Sequence, residues 1–167
     1  MIVVDNNVLV QIATYNNPKT ATALEAFLKQ RGHTIGIPTP VLAEYLAHDF
    51  TGRYAQYLAN HGMHQILDFD TKSAMRCGQI TSKYHDIKAV LFAAQKGQPA
   101  RQKVKVDLQI LAIALANNAS ILISDDPHIA TYVRELADTA KIQVLTSMDI
   151  CNMQPAEPQQ ESLNLDI

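Results

Sequence analysis

Four acidic residues, Asp5, Glu44, Asp107 and Asp126, each stand beside an apolar stretch that reads as strand or helix. Asp5 follows Met1-Ile-Val-Val4, Glu44 closes Pro40-Val-Leu-Ala-Glu44, Asp107 opens Asp107-Leu-Gln-Ile-Leu-Ala-Ile-Ala114, and Asp126 closes Ile121-Leu-Ile-Ser-Asp-Asp126. Carboxylates at the ends of buried elements suit a hard divalent cation, which takes oxygen ligands. Such a cation lowers the pKa of a bound water and offsets charge on a phosphoryl group, so the chemistry indicated is phosphodiester hydrolysis. Three or four acids cannot stay packed together unscreened, because like charges repel and raise one another's pKa. Convergence of these residues therefore implies a metal, and an all-oxygen donor set favours Mg2+ or Mn2+.

Each acid also has a local explanation. Asp5 before Asn6-Asn7 reads as a turn or a helix cap. Glu44 reads as an exposed helix residue, although Val41, Leu42, Ala43, Tyr45 and Leu46 put it on a partly buried face. Asp107 reads as a helix N-cap, and Asp126 before Pro127 as a helix start with Asp125 as a competing ligand. Other chemistries have less support. The six histidines show no HExxH-type spacing, and Cys77 and Cys151 have no metal-site spacing, which suggests free thiols in a reducing compartment. There is no glycine-rich phosphate loop and no Ser/His/Asp order. An aspartate-based phosphatase of haloacid-dehalogenase type would need a second Asp two residues after Asp5, and position 7 is Asn.

The elements that must position the acids alternate. Strands are expected at Ile2–Val4, Thr34–Ile37, Gln65–Leu67, Ile121–Ile123 and Ile142–Leu145. Helices are expected at Val8–Ala13, Pro18–Gln30, from Pro40 with Thr39 as cap, Arg53–Asn60, Thr71 to about Gln95, Asp107–Ala116 and from Pro127. Strand–helix alternation argues a parallel α/β sheet, in which ligands bind beyond the carboxyl ends of the strands. If the strands before Asp5 and Asp126 are neighbours, both carboxylates reach one crevice. Lys103 to Lys105 reads as a polar approach to the helix at Asp107, and Lys96, Arg101, Lys103 and Lys105 form a basic cluster, either a solvated loop or a phosphate grip beside the metal. Tyr45, Tyr54 and Tyr57 fit helix packing better than base stacking.

At 167 residues, with 47% hydrophobic and 18% charged residues, the chain fits one domain with a real core. The net charge of −2 shows no overall basic excess, so any nucleic-acid contact must be local. No basic n-region precedes the first strand, and the longest apolar run, Ile110–Ala116, is far too short to span a bilayer, so no membrane association and a cytoplasmic location are expected. From Asn152 the sequence turns polar and rich in Gln, Pro and Glu, which gives a domain over 1–151 and a disordered tail over 152–167.

In order along residues 1 to 150, these motifs resemble the PIN domain family, especially its small VapC-like toxin nucleases. Asp5-Asn-Asn7-Val-Leu9 looks like the first motif, with Asn7 in its small polar position. Glu44 matches the second acid, and Asp107 with Ile110, Ala112 and Ala114 the third. Ile121-Leu-Ile-Ser124-Asp-Asp126 matches the last strand and its Ser-x-Asp turn, which selects Asp126 over Asp125. The resemblance implies a three-layer α/β sandwich with a five-stranded parallel sheet flanked by helices. It implies a Mg2+ or Mn2+ site at Asp5, Glu44, Asp107 and Asp126, with Asn7 and Ser124 orienting carboxylates or water from behind. It further implies cleavage of single-stranded RNA; from the basic cluster itself, Arg101, Lys103 and Lys105 are the expected RNA contacts. The partners expected are RNA, a small antitoxin protein and a second copy of the chain. Two features depart from the family pattern: the long segment between the third strand and Asp107, and the polar tail. The alternative is a non-catalytic module of the same fold that binds nucleic acid or protein.

Overall fold

The computed structural model describes residues 1–30, 34–60, 64–91, 101–136 and 141–153. Its centre is a sheet of β1 (Ile2–Val4), β2 (Ile35–Pro38), β3 (His64–Leu67), β4 (Ile121–Ile123) and β5 (Gln143–Leu145). All pairings are parallel and the order is β3-β2-β1-β4-β5. β1 and β4 are neighbours in direct register, Ile2 beside Ile121, Val3 beside Leu122 and Val4 beside Ile123. Every residue of these two strands is buried, as continuous β-branched and apolar runs require when helices cover both faces. The chain steps outward from β1 to β2 and β3, then returns to the far side of β1 for β4. That reversal is a topological switch point, and a crevice opens beyond the carboxyl ends of β1 and β4.

Eight helices occur among the described residues: α1 (Asn6–Thr14), α2 (Pro18–Gln30), α3 (Thr39–Ala47), α4 (Arg53–Asn60), α5 (Thr71–Leu91), α6 (Arg101–Ala116), α7 (Pro127–Glu135) and α8 (Ser147–Met153). α1 packs on α2 and α4, and α2 on α8, which makes one layer; α5, α6 and α7 pack on one another in the other, and α3 touches both α1 and α6. The sheet between them completes a three-layer α/β sandwich. Leu24, Phe27 and Leu28 of α2 and Leu108, Leu111 and Ile113 of α6 are buried. Each contributes about 1.5–3 kcal/mol by leaving water.

Several local readings change. Pro38, not Thr39, stands at the N-cap of α3, and Thr39 and Pro40 form its first turn. Asn6 and Asn7 do not punctuate the chain; they open α1 behind the Asp5 cap. Lys103 to Lys105 is not a loop, because α6 runs back to Arg101 and Asp107 lies in its second turn. Lys, Gln and Arg are good helix formers, and Val104 and Leu108 pair one turn apart on the buried side. Asn152 and Met153 belong to α8 rather than to a tail. α8 starts at a reciprocal cap: Thr146 Oγ1 accepts the Asp149 N–H at 3.1 Å, and Asp149 Oδ2 accepts the Thr146 N–H at 2.8 Å. Thr-x-x-Asp is a sequence signature of a helix start. Lys96 and residues 154–167, the rest of the expected tail, lie outside the described residues.

α8 is tied to the body by Asp125. Its Oδ1 accepts the Ser147 N–H at 2.7 Å, and its Oδ2 accepts Ser147 Oγ at 2.6 Å and Gln11 Nε2 at 2.5 Å. Asp125→Ala leaves these donors without their charged acceptor and should cost about 2–3 kcal/mol in urea unfolding with an unchanged m-value. A loss under about 0.5 kcal/mol would show that α8 is held by other contacts.

Candidate active site

Asp5 is the first residue beyond β1. Its N–H donates to Ile123 O at 3.0 Å, which adds one rung to the β1–β4 ladder. Its side chain then caps α1, with Oδ1 accepting the Asn6 N–H at 2.7 Å. Oδ2 accepts Ser124 Oγ at 2.6 Å and Asn7 Nδ2 at 3.3 Å. Ser124 Oγ in turn accepts the Asp126 N–H at 3.1 Å, and Asn7 Oδ1 accepts the Asp125 N–H at 3.2 Å. Asn7 and Ser124 therefore lash the turn after β1 to the turn after β4 and fix the Asp5 carboxylate between them.

Asp126 caps α7 ahead of Pro127, as its reading as a helix start expects, and it also lines the cavity described below. Its Oδ1 accepts the His128 N–H at 2.9 Å and lies 3.0 Å from His128 Nδ1. Its Oδ2 meets Lys103 Nζ at 2.8 Å. Lys103 and Asp107 are four residues apart on α6 and so share a face. Glu44 projects from the second turn of α3 and is exposed, not partly buried as its neighbours suggest. Asp5, Asn7, Glu44, Lys103, Asp107 and Asp126 line one cavity of about 450 Å³ at the switch point. A smaller apolar cavity of about 260 Å³, lined by residues such as Leu28, Ile37, Tyr57 and Leu58, contains no such set of acids.

The electrostatics divide the acids. Burial pushes the Asp107 carboxyl up to about 7; the charges of Asp126, Asp5 and Glu44 add to this, and Lys103 opposes it. Asp107 is 6% exposed, and its Oδ2 is a buried acceptor with no hydrogen-bond partner. Burial likewise raises Asp5 against the lowering bonds from Ser124 and Asn6. For Asp126, burial is outweighed by Lys103 and the two His128 donors, and its pKa falls below the ordinary value. The Asp126 carboxylate, with the charges of Asp107 and Asp5, makes Lys103 hold its proton more firmly than an ordinary lysine.

Among the described residues, no three His, Cys, Asp or Glu side chains are closed into a set that could hold a metal ion. The acids share a cavity without converging on one point. This still fits Mg2+ or Mn2+: such an ion takes one or two carboxylates directly and keeps several waters. Asp107 Oδ2 supplies an unpartnered oxygen donor, and the remaining acids supply charge. Of the basic residues, Lys103 faces the cavity and Lys105 is exposed on the helix. Arg101 opens α6, and its side chain lies outside the described residues. Tyr45 is fully buried and stacks on Tyr54 with ring centres 4.5 Å apart, so it is packing, not a base platform. Two contacts were missed in the sequence, Lys103 and His128 on Asp126. A helix drawn one turn longer would place Lys103 beside Asp107, and His128 sits two residues past the capping Asp126.

Asp107 couples stability to pH. In the unfolded chain it loses its proton near about 4; in the folded chain it keeps it to about 7. Between these values the folded state binds the extra proton, so this group lowers stability as pH rises through the window. Asp107→Asn should therefore raise the melting stability of the metal-free protein at pH 8 by about 2–4 kcal/mol, with the gain fading towards pH 4. Thermal unfolding across that range checks it; a variant less stable than wild type at pH 8 would contradict it.

Residues 2–135 match the PIN domain family. Two solved structures are similar in fold. One is VapBC2 from Rickettsia felis bound to a DNA fragment from their promoter, with 19% identity, a TM-score of 0.59, and coverage of 87% of this chain and 98% of that one. The other is DNA-bound VapBC from Salmonella typhimurium, with 16% identity, a TM-score of 0.55, and coverage of 87% and 97%. No curated protein matches the sequence. The family match takes in Asp5, Glu44, Asp107 and Asp126 together with the β1–β4 switch point, and the chain belongs to the PIN domain family.

Proposed function

We propose that this chain is a divalent-metal-dependent endoribonuclease that cleaves single-stranded RNA, and that it acts as the toxin of a toxin–antitoxin pair. The observation that carries the reading is Asp107, a buried carboxylate with an unpartnered oxygen in a cavity shared with three other acids. PIN domains are generally nucleases, and the family match supports that class of activity. Asp5, Glu44, Asp107 and Asp126 would hold Mg2+ or Mn2+. The bound ion supplies Lewis acidity, lowering the pKa of water and offsetting charge on the phosphoryl group.

The chain's own residues do the rest. Asn7 and Ser124 keep the Asp5 carboxylate aimed at the cavity, as outer hydrogen bonds do for metal ligands. Asp107 must give up its proton to become a ligand, so metal binding near neutrality releases protons. Four carboxylates repel a polyanion, and Lys103, which lines the cavity, supplies positive charge where a phosphate would arrive; Arg101 and Lys105 are the further grips in this proposal. The two structures described above are VapBC assemblies on DNA, which supports a small antitoxin as partner. A second copy of the chain is proposed as the other partner.

The test is cleavage of a mixed RNA pool with Mg2+, Mn2+ or EDTA. Cleavage should need the metal, and Asp5→Asn or Asp107→Asn should reduce it by at least about 100-fold with the fold intact. Cleavage undiminished by exhaustive chelation, or at wild-type rate in both variants, would overturn the mechanism. RNA binding without cleavage in either metal would assign the chain to the non-catalytic class.

A further inference from the structure

Lys103 is the only cation lining the acidic cavity among the described residues. Its Nζ lies 2.8 Å from Oδ2 of Asp126, the N-cap of a different helix, α7. It stands one helical turn before Asp107, on the face that also carries the unpartnered Asp107 Oδ2. The carboxylates are thus not left bare: one tethered positive charge is already seated among them. A divalent ion drawn to the same acids would meet that ammonium at short range, and two cations a few ångströms apart repel strongly in a partly desolvated cavity.

We propose that the Lys103 ammonium is a built-in counter-ion that a divalent cation must displace from Asp126, so that metal loading is an exchange of one cation for another. The proposal rests on the acids being a metal site. The exchange is feasible on physical grounds. The Lys103 side chain is 47% exposed, against 12% for Asp126, and an ion pair half open to water is weak. Its flexible four-carbon stem lets the charge swing aside without moving α6. Asp126 stays oriented meanwhile, because His128 holds its other oxygen through the backbone N–H at 2.9 Å. Seated, the lysine lowers apparent metal affinity in proportion to the time the pair is closed; a pair closed nine-tenths of the time lowers it about tenfold.

The experiment is calorimetric titration of the full chain with Mn2+, without RNA, on wild type, Lys103→Met, Lys103→Gln, Lys103→Arg and Asp107→Asn. Lys103→Met and Lys103→Gln should bind Mn2+ about three- to tenfold more tightly than wild type. Lys103→Arg, which keeps the charge, should stay within about twofold of wild type, and Asp107→Asn should lose the site. Without metal, Lys103→Met should melt below wild type, and saturating Mn2+ should close the gap, a pattern that a purely structural lysine would not produce. If Asp107→Asn loses binding but Lys103→Met and Lys103→Gln bind no more tightly than wild type, the exchange is wrong and the metal site stands. If Lys103→Arg tightens binding as much as Lys103→Met, charge is not the cause and the exchange is also wrong. If wild type and Asp107→Asn bind Mn2+ alike, the acids are not the site and both readings fall.

Discussion

Mutual repulsion among Asp5, Glu44, Asp107 and Asp126 is the constraint on which the rest of this structure turns. Two of these carboxylates, Asp5 and Asp107, are more than nine-tenths buried, and all four line one cavity. Left bare, such a set takes up protons, and Asp107 goes that way: burial first, and then the charges of Asp126, Asp5 and Glu44, raise its pKa. The protein answers with local donors. Asp5 is held by three, the Asn6 N–H, Asn7 and Ser124, and Asp126 by His128 and the Lys103 ammonium. Asp107 receives no such help at its Oδ2, and it is the residue through which a cation would be felt most.

The sheet makes this concentration of charge tolerable. β1 and β4 are three-residue strands with no exposed side chain, and they end abreast. Placing Asp5 and the Ser124–Asp126 turn at the ends of adjacent parallel strands brings together residues 119 or more positions apart in sequence. α6 brings Asp107 in from one helical layer, and α3, which touches both layers, brings Glu44 to the rim. The rigidity comes from apolar burial in β1, β4 and α6, which surrounds the acids with side chains that cannot solvate them.

Much of this was legible in the sequence. The β-branched runs Ile2–Val4 and Ile121–Ile123 named the central strands, and strand–helix alternation named a parallel sheet. The condition that the strands before Asp5 and Asp126 be neighbours is met by the β1–β4 register. What failed was local polarity taken as loop. Lys103 and Lys105 are charged yet helical, because Val104 and Leu108, one turn apart, turn inward while the lysines stay at the surface. Asn152 was assigned to the tail because the Thr146–Asp149 cap, written plainly as Thr-x-x-Asp, went unread. Glu44 was placed on a partly buried face by its apolar neighbours, but on a short helix those neighbours point elsewhere and Glu44 alone meets the cavity rim. The Lys103–Asp126 pair could not be read at all until α6 was known to start before Lys103.

The central claim is that these acids hold a divalent cation. The most direct measurement is anomalous diffraction from crystals grown with Mn2+. The expected result is an anomalous peak inside the acidic cavity, beside Asp107 Oδ2, with Lys103 Nζ withdrawn from Asp126. A cavity without Mn2+ at saturating concentration, with Lys103 still seated on Asp126, would contradict it.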